Sequence, residues 1–280
     1  MTSIAGGRER ARFTPEPFPV FVIDNALDED AYRDLANVFP SLEEVSMEDG
    51  PVANNTNYTR SARHVIDNPV FDERWRRFFR HHVSPDFWQE ILPLVGDAIL
   101  SVHSDIEERA GRPLSQMSVA MRGSPDAEAS DIRLDCQFAM NSPVTETSTV
   151  RAPHIDHRSK IFNALLYCRP PEDDTPGGEL EIFRFRGKPA YRPEGRTVLS
   201  TRIEAVQTVP YRANTLVLFV NSPLSVHGVT PRPVTPHARR YINFLCEFRE
   251  PLFELPKTPL WRWKSELMLD RLRQAGRASP

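Results

Sequence analysis

The sequence predicts a mainly β fold with flanking helices (α+β): a jelly-roll core with helices on its N-terminal side and one helix at its C-terminal end. Three observations carry this expectation. Over about residues 116–250, short runs of β-branched and aromatic residues alternate with Pro, Gly and Asp turns: QMSVAMR, IRLDCQFAM, TVRAPHID, FNALLYC, ELEIFRF, AVQTVPY, NTLVLFV, SVHGV and RRYINFLCEF. Strands that follow one another with no helix between them build a sandwich or barrel of about eight strands, not a βαβ sheet. Over about 14–115 the chain is expected to be a mainly helical support region, with helical zones from Asp28 to Phe39 and over 69–110. Beyond the strands, Thr258-Pro259 sets proline in a first helical turn and opens a helix over about 258–276.

In chain order, MTSIAGGRERARF lacks the apolar run of a signal peptide and is expected to be a short disordered leader. PFPVFVIDNAL is expected to be a buried strand. Asp28 then caps a helix through Ala31, Tyr32, Leu35 and Val38 to Phe39, which Pro40 and Ser41 end. Residues 41–63 are polar, with Asn54, Asn55 and Asn57 close together, and are expected to form a loop; 45–63 is a candidate lid over the mouth of the barrel. A second helical zone covers 69–110, broken by Pro85 and Pro93. Its aromatic residues over 75–88 are expected in the core. The whole chain, 1–280, is expected to be one domain.

Composition narrows the function classes. The formal net charge is −3, so no basic field points to nucleic acid. No stretch approaches the roughly 20 apolar residues of a membrane span. The three cysteines are too few and odd in number for a secreted disulfide scaffold, so a cytoplasmic location is expected. The expected partner is a small molecule. Oligomeric state is not legible.

The chemistry lies in Pro153-His154-Ile155-Asp156-His157. Residues two apart on a strand share a face, so His154 and Asp156 can both reach a barrel interior. An imidazole and a carboxylate at that spacing occupy adjacent corners of a metal's coordination sphere. His227, in Ser-Val-His-Gly-Val, is the candidate third ligand from another strand. Two histidines and one carboxylate leave open positions for a co-substrate and oxygen. His157 gives the motif a second reading, H-x-D-H as in dinuclear zinc hydrolases; those need a histidine two residues before His154, where Ala152 stands. By alternation His157 faces away from the metal. His64, His81, His82, His103 and His237 lack partners at ligand spacing and are read as surface or packing residues.

Further elements follow the H-x-D in order: Asn163-Ala-Leu-Leu-Tyr167, an acidic turn ending in Gly177-Gly178-Glu179-Leu180, Asn214-Thr-Leu-Val-Leu-Phe219, His227, and Arg239-Arg240-Tyr241. As a set, residues 133–249 resemble the double-stranded β-helix of the Fe(II)- and 2-oxoglutarate-dependent oxygenases, especially the prolyl-hydroxylase-like branch. The resemblance implies Fe(II), 2-oxoglutarate and O2 as cofactor and co-substrates, with His154, Asp156 and His227 as iron ligands. It implies that Arg240, before the aromatic Tyr241, pairs with the distal carboxylate of 2-oxoglutarate, with Arg239 as the fallback. A planar guanidinium suits that role. Tyr167 matches the tyrosine that shares this carboxylate, whereas the asparagine usual two residues later is Arg169 here. The implied reaction is hydroxylation of an unactivated C–H bond of a small metabolite, with succinate and CO2 as co-products; desaturation or ring closure could follow from the same chemistry. The rival class is a cupin-like metal or small-molecule binding protein without turnover. Arg133, Asp135 and Gln137 share one face and are candidate pocket residues. Arg151, Arg158 and Lys160 are candidates to hold an anionic group. Gly177 and Gly178 are read as turn glycines with positive φ.

Overall fold

All but one of the alternating runs after residue 115 form strands, and the two faces of those strands have different partners. The computed structural model describes residues 2–47, 52–192, 195–256, 259, 263–264 and 267–268. Among them are strands β1 (Arg12–Thr14), β2 (Val20–Ile23), β3 (Asn57–Ser61), β4 (Val119–Met121), β5 (Ile132–Asn141), β6 (Lys160–Tyr167), β7 (Leu180–Phe185), β8 (Ile203–Val209), β9 (Leu216–Val220), β10 (His227–Val229) and β11 (Arg239–Phe248). The larger sheet runs β1-β2-β9-β6-β11-β5-β3, with β4 parallel to β5; the smaller runs β10-β7-β8. Together they make the jelly roll expected of the sequence.

Period-two alternation assigns each residue of the larger sheet to one of these faces. Cys136, Phe138 and Met140 of β5, Phe162, Ala164 and Leu166 of β6, Leu216, Leu218 and Val220 of β9, and Ile242, Phe244 and Cys246 of β11 share one buried apolar cluster with the helices. Its aromatic centre joins Trp75 and Phe79 to Phe138, with ring centroids 5.1 and 4.6 Å apart. The aromatic residues of 75–88 are thus core, as their spacing indicates. The opposite face looks toward the smaller sheet and carries the polar residues: Asn163, Tyr167, Arg239, Tyr241 and Asn243.

Helices α1 (Glu29–Ala36), α2 (Leu42–Ser46), α3 (Ala62–Val65), α4 (Glu73–His82), α5 (Pro85–Val102) and α6 (Ile106–Ala110) supply the other half of that core. Asp28 caps α1 as its position suggests, accepting from the Asp30 and Ala31 amides at 3.1 and 3.2 Å.

Several expectations need correction. Pro93 does not interrupt the helical zone: α5 runs through it, because Trp88, Ile91, Val95 and Ile99 bury a continuous apolar face that outweighs one lost backbone bond. The N-terminal leader is ordered: Ile4–Arg10 is a 3-10 helix with Ile4 and Ala5 buried, and the Ile4 amide donates to His82 Nε2 at 3.2 Å. Residues 41–63 hold α2 and the edge strand β3, paired with β5 from Asn57↔Asn141 to Ser61↔Gln137. Asn54 and Asn55 are tied to residues 145–148 by side-chain hydrogen bonds, so what the structure describes of this segment is built into the barrel wall. The helix expected over 258–276 falls mostly outside the described residues.

Candidate metal centre

His154, Asp156 and His227 meet where the smaller sheet closes on the larger. The segment before β6 is not a full strand, as TVRAPHID had suggested; its ladder is reduced to bridges, and the one that matters pairs His154 with His227. Their backbones exchange both bonds, each amide reaching the other's carbonyl at 2.9 Å. This exchange sets the imidazoles side by side, ring centroids 4.4 Å apart. Asp156 follows two residues on, and one ligand atom from each of the three lies within 4.8 Å of the others. All three are buried.

Each histidine is held in the tautomer that a metal needs. His154 Nδ1 lies 2.9 Å from the Ala152 carbonyl, and His227 Nδ1 lies 2.9 Å from that of Ser225. A carbonyl can only accept, so Nδ1 carries the proton and Nε2 keeps its lone pair, which at His154 accepts from Arg151 Nε at 3.2 Å. Burial, then the neighbouring imidazole, lowers His154 to about 3; burial also lowers His227. Burial pushes the Asp156 carboxyl up, but Lys160 and the two imidazoles outweigh it and hold it below the usual carboxylate range. Two neutral imidazoles and one carboxylate are the protonation states that bind a divalent metal. Lys160 Nζ reaches Asp156 Oδ1 at 3.1 Å, and Asn163 Nδ2 donates to Oδ2.

The site opens into a cavity of about 150 Å³ whose lining includes Arg151, Lys160, Leu165, Phe219, Arg239 and Asn243. The cavity has one striking electrostatic feature in Arg239. This guanidinium is 1% exposed, and among the described residues no carboxylate forms an ion pair with it. It lies 5.1, 5.0 and 4.7 Å from the rings of Tyr167, Tyr211 and Tyr241. Nε donates to the Gly178 carbonyl at 2.8 Å and Nη1 to Asn141 at 3.3 Å. Nη2 and the Tyr167 hydroxyl are both buried without a hydrogen-bond partner. Burial raises Tyr167 to about 12, with Arg239 pulling the other way, so the phenol stays protonated and can donate. A cation and a hydroxyl, both buried and with unused donors, fit a carboxylate brought in by a co-substrate.

The assignment of Arg240 is therefore corrected. Strand β11 turns Arg240 to the helix side, its guanidinium 5.7 Å from the Phe39 ring, and puts Arg239 on the cavity side with Tyr241 and Asn243. Tyr167 lies on the cavity side, opposite Tyr241 in the β6–β11 ladder. Arg169, at the position where an asparagine is usual, braces the acidic turn by donating to the Asp173, Thr175 and Tyr211 carbonyls. Gly177 and Gly178 have φ of +86° and +83°, and a Cβ on Gly178 would sit 3.2 Å from Arg239 Cδ. His157 faces out, bonded to Ser159. Arg158 pairs with Glu254, and Arg133 is held by Ala127 and Glu128. Neither reaches the metal cavity. Asn163 and Asn243 had not been recognised as site residues. The signal was available: counting by twos from Tyr167 reaches Asn163, and from Arg239 reaches Asn243.

Residues 140–245 match the family model described as the 2OG-Fe(II) oxygenase superfamily. No curated protein matches the sequence. Among solved structures, a Pseudomonas putida prolyl-4-hydroxylase is 14% identical, with a TM-score of 0.42, over 89% of this chain and 100% of that one. A prolyl 4-hydroxylase from Phytophthora capsici is 15% identical, with a TM-score of 0.47, over 91% of this chain and 68% of that one. The non-heme, alpha-ketoglutarate-dependent epimerase SnoN from nogalamycin biosynthesis is 15% identical, with a TM-score of 0.46, over 91% and 89%.

Proposed function

We propose that this chain, which belongs to the 2OG-Fe(II) oxygenase superfamily, hydroxylates an unactivated C–H bond of a small metabolite or natural-product intermediate, releasing succinate and CO2. The observation that carries the reading is a metal triad sharing its cavity with a buried guanidinium that pairs with no carboxylate among the described residues. A barrel that only stored metal would have no use for that cation. Fe(II) with 2-oxoglutarate and O2 supplies the oxidising power.

The protein's own residues bind and orient. His154 and His227 offer Nε2, and Asp156 offers a carboxylate oxygen that Lys160 and Asn163 hold in place. Arg239 and Tyr167 take the distal carboxylate of 2-oxoglutarate at the far end of the same face. Leu165, Leu180 and Phe219 form a dry wall that keeps water from the reacting centre. We further take 1–280 as one catalytic unit, since the helices and the larger sheet share a single core. No helix among the described residues is long and apolar enough to cross a membrane. Three buried, unpaired cysteines support a reducing, cytoplasmic setting.

The test is purified protein with Fe(II), 2-oxoglutarate and a metabolite panel, reading succinate and oxygenated product. His154→Ala and His227→Ala should each lose tight Fe(II) binding and turnover. Wild-type protein that binds neither Fe(II) nor 2-oxoglutarate would refute the reading.

A further inference from the structure

Resting on that reading, we infer that the substrate is recognised through paired neutral hydrogen-bond donors, hydroxyl or amide N–H groups, offered to the side-chain oxygens of Asn163 and Asn243. Both oxygens are buried and accept no hydrogen bond, and both residues line the metal cavity. Asn163 is 6% exposed.

Which end of each amide is left uncommitted is fixed by chemistry. Asn163 Nδ2 donates to Asp156, a carboxylate that can only accept, so its oxygen must point away from it. Asn243 is oriented through one intermediary. Asp135 is buried and accepts from the Ala62 amide at 3.1 Å and from Gln137 Nε2 at 2.7 Å, with Arg122 3.6 Å away. Gln137 has therefore committed its nitrogen to Asp135 and turns its oxygen to Asn243, whose Nδ2 donates at 3.2 Å. Asn243 is left with its oxygen free. Flipping either amide would set oxygen against oxygen along the chain.

The two acceptors are neighbours. Asn163 lies opposite Leu245 in the β6–β11 ladder, and Asn243 lies two residues from Leu245 on the same face. Such diagonal positions are roughly 7–8 Å apart at the backbone, within reach of one small molecule. By contrast, the asparagines at the Arg239 end are satisfied: Asn141 donates to Asn57 and accepts from Arg239, and Asn57 also accepts from Tyr241. Among the described residues, the unpartnered side-chain oxygens of the cavity lining are therefore those of Asn163 and Asn243. Lys160 and Arg151 also line the cavity, so an ammonium donor would meet like charge there and a neutral donor would not. Gln137 acts here as a positioning residue, since it sets Asn243 without lining the cavity.

The test uses wild-type protein loaded with Fe(II) and 2-oxoglutarate under anaerobic conditions, where binding is read as a shift in Tm without turnover. The probes are methyl glycosides and cyclitols for hydroxyl donors and primary carboxamides for N–H donors. Each is paired with its O-methyl or N,N-dimethyl counterpart, which keeps the shape and loses the donors. Donor probes should bind, and methylation should weaken apparent affinity by about tenfold or more, because it leaves buried acceptors unmet. The arm that responds tells an alcohol from an amide. Asn243→Leu and Gln137→Leu should bring the ratio between free and methylated probes close to one; as a ratio within one protein, it does not depend on the variants' stability. Methylated probes binding as tightly as free ones, no donor probe binding at all, or a ratio unchanged in Asn243→Leu would each overturn the inference. Failure to bind Fe(II) or 2-oxoglutarate is a separate result and would refute the oxygenase reading itself.

Discussion

Arg239 and Arg240 are adjacent and chemically identical, and only the phase of β11 separates their surroundings. Arg239→Leu should raise the KM for 2-oxoglutarate strongly, since truncating one partner of a buried ion pair costs about 2–5 kcal/mol. Arg240→Leu, on the helix side, should leave that KM nearly unchanged. Steady-state kinetics with varied 2-oxoglutarate compare the two directly. The pair also marks how far single residues can be read from sequence. His154, Asp156 and His227 were legible because the H-x-D, the distal histidine and the elements around them follow one another in a specific order. The phase of β11 was not, because Arg239-Arg240-Tyr241 offers two guanidinia before one aromatic. The apolar residues that settle it, Ile242, Phe244 and Cys246, mark the helix face only once helices are known to cover that side. Asn163 and Asn243 were hidden for another reason: an amide in a strand carries no signature until the carboxylate that orients it is located in space.

At the scale of elements, the turn before β7 shows how a loop can tune a charged group it does not contain. Gly178 has φ +83°, accepts from Arg239 Nε, and leaves 3.2 Å between a notional Cβ and Arg239 Cδ. Gly178→Ala should therefore cost about 1–2 kcal/mol of stability from the left-handed backbone alone and also raise the KM for 2-oxoglutarate by displacing the guanidinium. Gly111, the C-cap of α6, has φ +72° and nothing within 4 Å of its notional Cβ. Gly111→Ala should carry a similar backbone cost with no effect on that KM. Denaturant midpoints and KM values for both variants separate the two contributions; a raised KM in both would mean that general loosening is responsible. The elements read best from sequence were those with a cap or a strong alternation, such as α1 and β5. Those read worst were α5, where a proline rule was overridden by packing, and β3, whose pairing partner lies far along the chain.

At the scale of the molecule, the N-terminal 3-10 helix and the helical layer are joined through His82. Its Nδ1 donates to the Phe78 carbonyl at 2.7 Å, and its Nε2 accepts from the Ile4 amide at 3.2 Å, so the ring must be neutral. Burial lowers its pKa to about 3, against about 6.5 when unfolded. The contribution of the neutral ring is complete above pH 6.5 and is lost progressively as pH falls toward 3, because the unfolded chain then binds the extra proton. Across that window His82→Leu should flatten the dependence of unfolding free energy on pH by about one proton, or roughly 1.4 kcal/mol per pH unit. Urea titrations of both proteins at several pH values measure it; parallel curves would show that His82 is not the titrating group.

Arg239, which pairs with no carboxylate among the described residues, would make the folded state half of an ion pair whose other half arrives by diffusion. The native protein should then report the supply of its own co-substrate as resistance to unfolding. A ligand at a hundredfold its Kd adds about 2.7 kcal/mol. Succinate keeps the distal carboxylate proposed for Arg239 but lacks the keto group of 2-oxoglutarate. It should raise the Tm less than 2-oxoglutarate does when Fe(II) is present, and nearly as much once the metal is stripped. In Arg239→Leu the stabilisation by succinate should be lost and that by 2-oxoglutarate reduced. Co-substrate and fold would in this way be linked through one side chain.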